Sequence, residues 1–387
     1  MRFSVITSAL VAALVGIAGA LAIVLEAARA VGASPAETTS WVTALCVSMA
    51  LTSGYLSWRH RVPIITAWST PGAAVIAATS GIDMRAASGA FLVAGALLVA
   101  TALIAPLDRA IRRIPISVAA GMLAGVLVRF VLQMIEAIPA TPTLVLPLLA
   151  LFLVVRLKSP SAAMLLVIAA GTALASTHGL IQIWPTGSIS TFTLVMPAFE
   201  PAVMIGLGLP LFLVTMASQN LPGAAVIKAA GYEPPFSSAL LVTGLASIAI
   251  APLAAHTINL AAITAAICTG PDAHPDPKER WRTGIAYCAV YLGLGVLGAA
   301  LVGLFAVFPG ALIKTIAGLG LLGSLSGALG TALANEHQRF AAVLAFAVTA
   351  SGISVFGIGA AFWGLIAGLL VLGLDTTASR QFGAPQK

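Results

Sequence analysis

Pro252-Leu-Ala-Ala precedes His256, Thr257 and Asn259 in a stretch otherwise made of alanine, leucine and isoleucine. Pro63-Ile-Ile-Thr-Ala precedes Trp68, Ser69 and Thr70 in an equally apolar setting. A third cluster, Ser218-Gln219-Asn220, closes the run "PLFLVTMASQN". All of these are hydrogen-bonding groups, and only the imidazole titrates. Enzymatic turnover needs converging acids and bases, a nucleophile or metal ligands at one place. The chain's 12 acidic residues fall nearly all at the ends of apolar runs or in loops. Cys46, Cys268 and Cys288 show no CxxC spacing, so no disulfide framework, metal site or cofactor is indicated. The chemistry open to these clusters is binding, and no enzyme is expected.

Their positions follow from the prolines. Pro63 and Pro252 lack the N–H that a continuous helix uses. Ser, Thr and Asn are preferred N-caps, and Pro71 suits the first turn of a helix beginning after Thr70. Each stretch therefore reads as a short extended piece and then a half-helix that starts inside the bilayer. Non-helical backbone at that depth survives only where protein buries it or it lines a cavity. Half-helix starts carry partial positive charge and suit a carboxylate. His256, the one histidine expected deep in the bilayer, titrates in the range needed to carry a proton. A neutral ring holding a backbone carbonyl is the other reading. Burying an unpaired amide costs about 1–3 kcal/mol, so Gln219 and Asn220 should face each other, water or a ligand; helix–helix bonding or a helix end is the alternative.

The composition is that of a membrane protein. It is 60% hydrophobic and 8% charged, where soluble domains carry about 25% charged residues. Fourteen apolar segments are read, at about 5–25, 40–57, 63–80, 88–105, 115–135, 143–156, 162–178, 201–222, 237–251, 253–269, 284–307, 309–333, 339–352 and 356–374. Segments 6 and 13 are short enough to be tilted or partly interfacial. With a cytoplasmic N-terminus, fifteen of the 19 lysines and arginines fall inside, among them Arg109, Arg112, Arg113, Arg280, Arg380 and Lys387. Arg29 and Arg85 fall outside, and Arg129 and Lys314 within segments. Both termini are thus expected in the cytoplasm. The +7 net charge reflects this bias and implies no nucleic-acid partner. The N-terminal "MRFSVITSALVAALVGIAGALA" imitates a secretory signal, but the repeat described next needs it as a full segment.

"RAVGASPAETTSWVTAL" (29–45) resembles "KAAGYEPPFSSALLVTGL" (228–245), with Gly32 on Gly231 and Pro35 on Pro234. "PIITAWSTPGAA" lies over "PLAAHTINLAAI", and "IPISVAAGMLAG" over "FPGALIKTIAG". Three landmarks in one order define a repeat of seven segments. An odd repeat must invert its second copy, as secondary transporters do. The expected fold is an all-α polytopic membrane protein. It has 14 transmembrane segments in two inverted repeats of seven, with discontinuous segments 3 and 10 carrying short extended strands. Arg129 and Glu136, seven apart, are expected as a structural pair, or Arg129 as a guard of the outer vestibule. The glycine strip at 318, 320, 323, 327 and 330 reads as helix packing, and "GPDAHPDPKERWR" as a solvated connection.

"SWRHRVPIITAWSTPGAAVIAATSG", "LGLPLFLVTMASQNLPGAAVIKAAGY" and "HTINLAAITAAICTGPDAHPD" closely resemble the benzoate/proton symporter family of bacterial inner membranes. That family is similar in architecture to the nucleobase–ascorbate transporters. The resemblance implies a core domain (1–106 and 197–307) and a gate domain (107–196 and 308–387), an elevator-like movement and often a homodimer. It implies proton-coupled import of benzoate or a similar aromatic carboxylate. Trp68 would pack the ring. Ser69, Thr70, Thr257 and Asn259 would bind the carboxylate, Ser218, Gln219 and Asn220 would complete the polar wall, and His256 would be the proton site. Nucleobase transporters of this fold carry acidic residues in segments 8 and 10. Their absence here fits an anionic cargo. A purine, a dicarboxylate, sulfate or a passive anion channel are the alternatives.

Overall fold

The structure, a computed structural model, describes residues 2–104, 115–181, 189–356 and 358–382. Arg109, Arg112, Arg113 and Lys387 lie outside the described residues, as does the side chain of Arg380. Helix α1 (Phe3–Ala30) turns at Gly32, φ 66°, into α2 (Pro35–His60), whose start is fixed by a Ser34–Glu37 capping box. The break follows as strand β1 (Thr66–Trp68) and the half-helix α3 (Thr70–Ala77). Then come α4 (Met84–Leu103), α5 (Ile116–Glu136), α6 (Pro142–Val155) and α7 (Pro160–Thr177).

The second half opens with α8 (Pro201–Ala229), which contains π-helical turns at Met204–Gly208 and Met216–Asn220. A turn at Gly231, φ 88°, leads to α9 (Phe236–Ile250). The second break is β2 (Ile258–Leu260) followed by α10 (Ile263–Thr269). Next are α11 (Arg282–Val296), α12 (Gly298–Ala306), α13 (Gly310–Ala334) and α14 (Arg339–Ser351). A hairpin of β3 (Ser354–Val355) and β4 (Ile358–Gly359) precedes α15 (Ala360–Phe382).

Among the described residues, six helices are each long and apolar enough to cross a membrane, and a bent pair from Pro277 to Ala306 has the length and composition for a seventh when taken as one span. The chain is a largely helical, multi-pass membrane protein. Two groups of helix contacts stand out, and α1 packs against both, on α11 and on α13. Helix α5 lies against α13, α14 and α15, while α2 lies against α11 and α4 against α9. The first set closes tightly because Gly121 and Gly125 bring α5 onto the α14 backbone, with Ala342 O and Phe346 O where a Cβ would stand.

Several details depart from the sequence reading. Segment 11 bends by 58° between α11 and α12. Segment 14 begins with a hairpin rather than a helix, and segment 8 is interrupted by π turns. Arg129 and Glu136 form no ion pair; Glu136 is exposed, and the Arg129 guanidinium sits against Gly352. The loop after α10 is not simply solvated. Arg280 is buried, donating from Nε to His274 O at 2.7 Å, from Nη1 to Thr269 O at 2.9 Å and from Nη2 to Pro275 O at 3.4 Å. It thereby caps the end of α10, where free carbonyls favour a cation.

Arg280→Ala strands these carbonyls. It is expected to lower stability in detergent by about 2–3 kcal/mol, read as a drop in the thermal unfolding midpoint. Arg280→Lys should recover only part of the loss, because an ammonium does not reproduce the guanidinium fork.

Candidate functional site

The two breaks meet as an antiparallel pair, with Thr66 opposite Leu260, Ala67 opposite Asn259 and Trp68 opposite Ile258. The ladder continues with Ser69 N–H to Thr257 O (3.1 Å) and Ala261 N–H to Ile65 O (2.9 Å). Side chains from flanking helices take further amides of the two breaks. Ser53 Oγ accepts Thr66 N–H and Ser247 Oγ accepts Ile258 N–H, each at 2.9 Å. Ser57 Oγ both accepts from Ile64 N–H and donates to Ile64 O. Asn220 Oδ1, on the second π turn, accepts Leu260 N–H at 2.9 Å. Most of the extended backbone is thus paired by protein, as burial in an apolar medium favours.

His256 is fully buried, with both ring nitrogens engaged. Trp41 Nε1 donates to Nδ1 at 2.9 Å. Nε2, 3.1 Å from Ser69 O, is therefore the protonated nitrogen and donates to that carbonyl. The ring is neutral in this arrangement and ties α2 to both breaks. Phe91 packs edge-on against Trp41 at 5.3 Å.

Ser69 is the N-cap of α3, accepting Gly72 N–H at 3.1 Å. Thr215 donates to Ser69 Oγ (3.0 Å) and pairs with Thr257 Oγ1 (3.1 Å), so the Thr257 hydroxyl is the donor in the second bond. Asn259 lies in β2 rather than capping a helix. Its Nδ2 donates to Leu260 O, and its buried Oδ1 has no partner among the described residues. The half-helix begins at Ile263, with Ala262 in front of it and no side-chain cap.

A cavity of about 210 Å³ opens beside the strand pair. Of the nine predicted residues, Trp68, Thr70, Ser218 and Gln219 line it, whereas Ser69, Asn220, His256, Thr257 and Asn259 are buried behind it. Trp68 packs edge-on against Tyr291, with centroids 6.4 Å apart. Gly16, Thr264, Tyr291 and Ser324 also line the cavity, and the sequence reading missed all four. Gly16, Tyr291 and Ser324 sit in apolar helices without a proline or a polar cluster to mark them, and Thr264 lies five residues beyond Asn259, past the polar cluster. No lining residue is charged.

A second chamber of about 290 Å³ adjoins the first and shares Ser218, Gln219 and Ser324 with it. Its other walls include Pro71, Leu123, Gly327 and Thr331. The glycine strip of α13 is therefore only partly a packing surface. Gly318 meets Met134, but Cβ atoms built at Gly323, Gly327 and Gly330 would meet nothing within 4 Å.

Trp41→Phe keeps an aromatic ring but leaves His256 Nδ1 without its donor. It is expected to cost about 1–3 kcal/mol, measured by thermal unfolding in detergent. Combined with His256→Leu, the two losses should fall short of their sum, because the lost bond is shared.

The family model for "Benzoate membrane transport protein" matches residues 1–374. The "Inner membrane protein YdcO" of Escherichia coli (strain K12) is 41% identical over 359 residues, covering 92% of this chain and 92% of that protein. The "Benzoate membrane transport protein" of Acinetobacter baylyi is 33% identical over 361 residues, covering 93% and 92%. The transmembrane domain of a cyanobacterial bicarbonate transporter, BicA, superposes with a TM-score of 0.60 at 14% identity, covering 95% of this chain and 98% of that one. That last likeness is one of fold. With its interrupted segments meeting at an uncharged cavity, the chain belongs to the benzoate membrane transport protein family, a family of membrane transporters and not of enzymes.

Proposed function

We propose that the chain imports benzoate or a similar aromatic carboxylate by proton symport across a bacterial inner membrane, with both termini in the cytoplasm. The observation that carries this reading is the cavity at the paired breaks. It offers one large aromatic wall, Trp68 with Tyr291, and neutral donors at Thr70, Ser218 and Gln219. An anion is met there by dipoles rather than by a fixed cation, and no acidic residue repels it. The name of the Acinetobacter relative points to the same cargo.

In this reading the chain crosses the membrane 14 times, in two inverted repeats of seven. Paired features support the repeat. Gly32 and Gly231 both turn with positive φ. Ser53 of α2 and Ser247 of α9 cap the edges of β1 and β2 in the same way. Residues 1–106 and 197–307 form the core domain, and 107–196 with 308–387 the gate domain. Ser69, Asn220, His256, Thr257 and Asn259 act by holding the break in shape around the carboxylate. His256 is the proton-site candidate, and its Nδ1 takes up a proton only once Trp41 withdraws its indole N–H.

The core slides against the gate in an elevator-like movement. The chamber that adjoins the cavity is the opening toward the cytoplasm. The β3–β4 hairpin pressed on Gly206 of α8 is the seal on the opposite side. A Cβ on Gly206 would lie 3.1 Å from Ile358 Cα.

Labelled benzoate is expected to enter proteoliposomes saturably, to exchange with internal benzoate, and to accumulate faster under an inward proton gradient. Gradient-independent uptake removes the symport, unsaturable flux indicates a channel, and no uptake redirects the search to another anion. A Gly206→Cys/Ile358→Cys pair, in a background lacking Cys46, Cys268 and Cys288, should abolish uptake when oxidised and recover it on reduction. Undiminished uptake by fully crosslinked protein rules out this seal.

A further inference from the structure

We propose that, whatever the cavity carries, the chain holds one tail of an anionic phospholipid in a groove between α2 and α9. The groove has a volume of about 200 Å³ and shares no lining residue with the two chambers described above. Ala44, Val47 and Leu51 of α2 and Ala249 and Ile250 of α9 form its walls. Phe192 and Leu253 close the end nearest Ser40, where Thr193 N–H donates to Ser40 Oγ (2.9 Å) and Ser40 Oγ donates to Leu253 O (3.0 Å). Thr52 also borders the groove, but its hydroxyl is engaged with Ser48 O and Thr66 Oγ1, each at 2.7 Å. The walls are thus apolar, and an apolar recess stays dry. Because α9 is long and apolar enough to cross the membrane, the space beside it meets hydrocarbon.

The groove continues into a stripe that matches the rest of a lipid. Ala44, Val47, Leu51, Tyr55 and Trp58 recur at steps of three and four, and so share one face of α2. Leu51, Tyr55 and Trp58 are exposed on it. Tyrosine and tryptophan are the residues enriched where hydrocarbon meets headgroups. Arg59, four positions beyond Tyr55, adds a cation at that end; it is exposed and makes no ion pair among the described residues. There His60 Nε2 lies 2.9 Å from Ser238 Oγ and ties α2 to α9. From Ser48 to Arg59 the helix rises about 16 Å, at roughly 1.5 Å per residue. Half of the hydrocarbon core is about 15 Å. A headgroup phosphate at Arg59 therefore places the end of its tail in the groove.

A flat helix face is covered by passing lipid, whereas a recess with a cation half a bilayer away selects both a tail and a headgroup charge. The two helices that form the recess also supply Ser53 and Ser247 to the strand amides. Thr52, in the groove wall, touches Thr66 of β1. A tail seated here therefore supports the helices that keep the two breaks in register.

The test is photo-crosslinking of the full chain in phosphatidylcholine vesicles. These contain a trace of either phosphatidylglycerol or phosphatidylcholine with a diazirine in the tail, and the label is located by peptide mass spectrometry. The phosphatidylglycerol probe is expected to label residues 44–52 and 246–253 about fivefold more than the phosphatidylcholine probe, the preference one basic residue gives near an anionic headgroup. Arg59→Gln should bring the two probes level. Ala249→Phe fills the groove and should abolish labelling there by both, with an unchanged thermal unfolding midpoint as the sign that it folds. Equal labelling by the two probes in the unmodified protein overturns the proposal, and so does a preference that survives Arg59→Gln or labelling that persists in Ala249→Phe. The unmodified protein and Arg59→Gln decide the matter even where Ala249→Phe does not fold. Benzoate uptake plays no part in the readout, so its failure and this one are told apart.

Discussion

Backbone amides in an apolar medium must find a partner inside the protein, and the strand pair is where this chain meets that demand. Two three-residue strands are too short to be stable alone. Pairing with each other satisfies only their facing edges. Outward amides of Ile64, Thr66, Ile258 and Leu260 are taken by Ser57, Ser53, Ser247 and Asn220, each drawn from a helix that packs against the break. Closing the edges with short side chains fixes which helices lie beside each strand. The same residues therefore satisfy the backbone and position the cavity wall.

The breaks were legible because proline and hydrogen-bonding residues stand out against an apolar background. Pro63 with Ser69-Thr70, and Pro252 with His256-Thr257-Asn259, marked both places where helix gives way to strand. What each polar residue does was harder to read. Ser69, Thr257 and His256 look like ligand donors in sequence, yet Thr215, Trp41 and the backbone already engage them. Asn259 was expected at a helix start, but pairing with Ala67 keeps it in a strand and delays the helix to Ile263. Register across a strand pair depends on residues nearly 200 positions apart, and local propensity carries no information about it.

Tyr291 and Thr264 were missed for a related reason. A tyrosine in an apolar helix satisfies hydropathy whether it faces lipid, core or cavity. Only the position of α1, with Gly16 opposite the phenol, makes it a cavity residue. The Arg280 cap was hidden in a charged loop whose composition reads as solvated. Its burial follows from the carbonyls left free where a seven-residue half-helix ends. In both cases the decisive partner lies on another element or beyond a turn, so neither spacing nor composition marks it.

The glycines of α13 extend the same reasoning to the chamber wall. Each glycine in a helix interior costs about 1 kcal/mol relative to alanine, and close packing is the usual compensation. Gly318 has that compensation against Met134, but Gly323, Gly327 and Gly330 pack on nothing. Of these three, Gly327 borders the second chamber, while Gly323 and Gly330 are exposed on the helix surface. Ser324 faces both chambers from the midst of this strip and places one hydroxyl along an otherwise smooth wall. Bordered by glycine on α13 and hydrogen-bonded into shape at the breaks, the cavity joins a polar wall to a smooth one. Glycine at 327 leaves the second chamber without a side chain on that part of its wall.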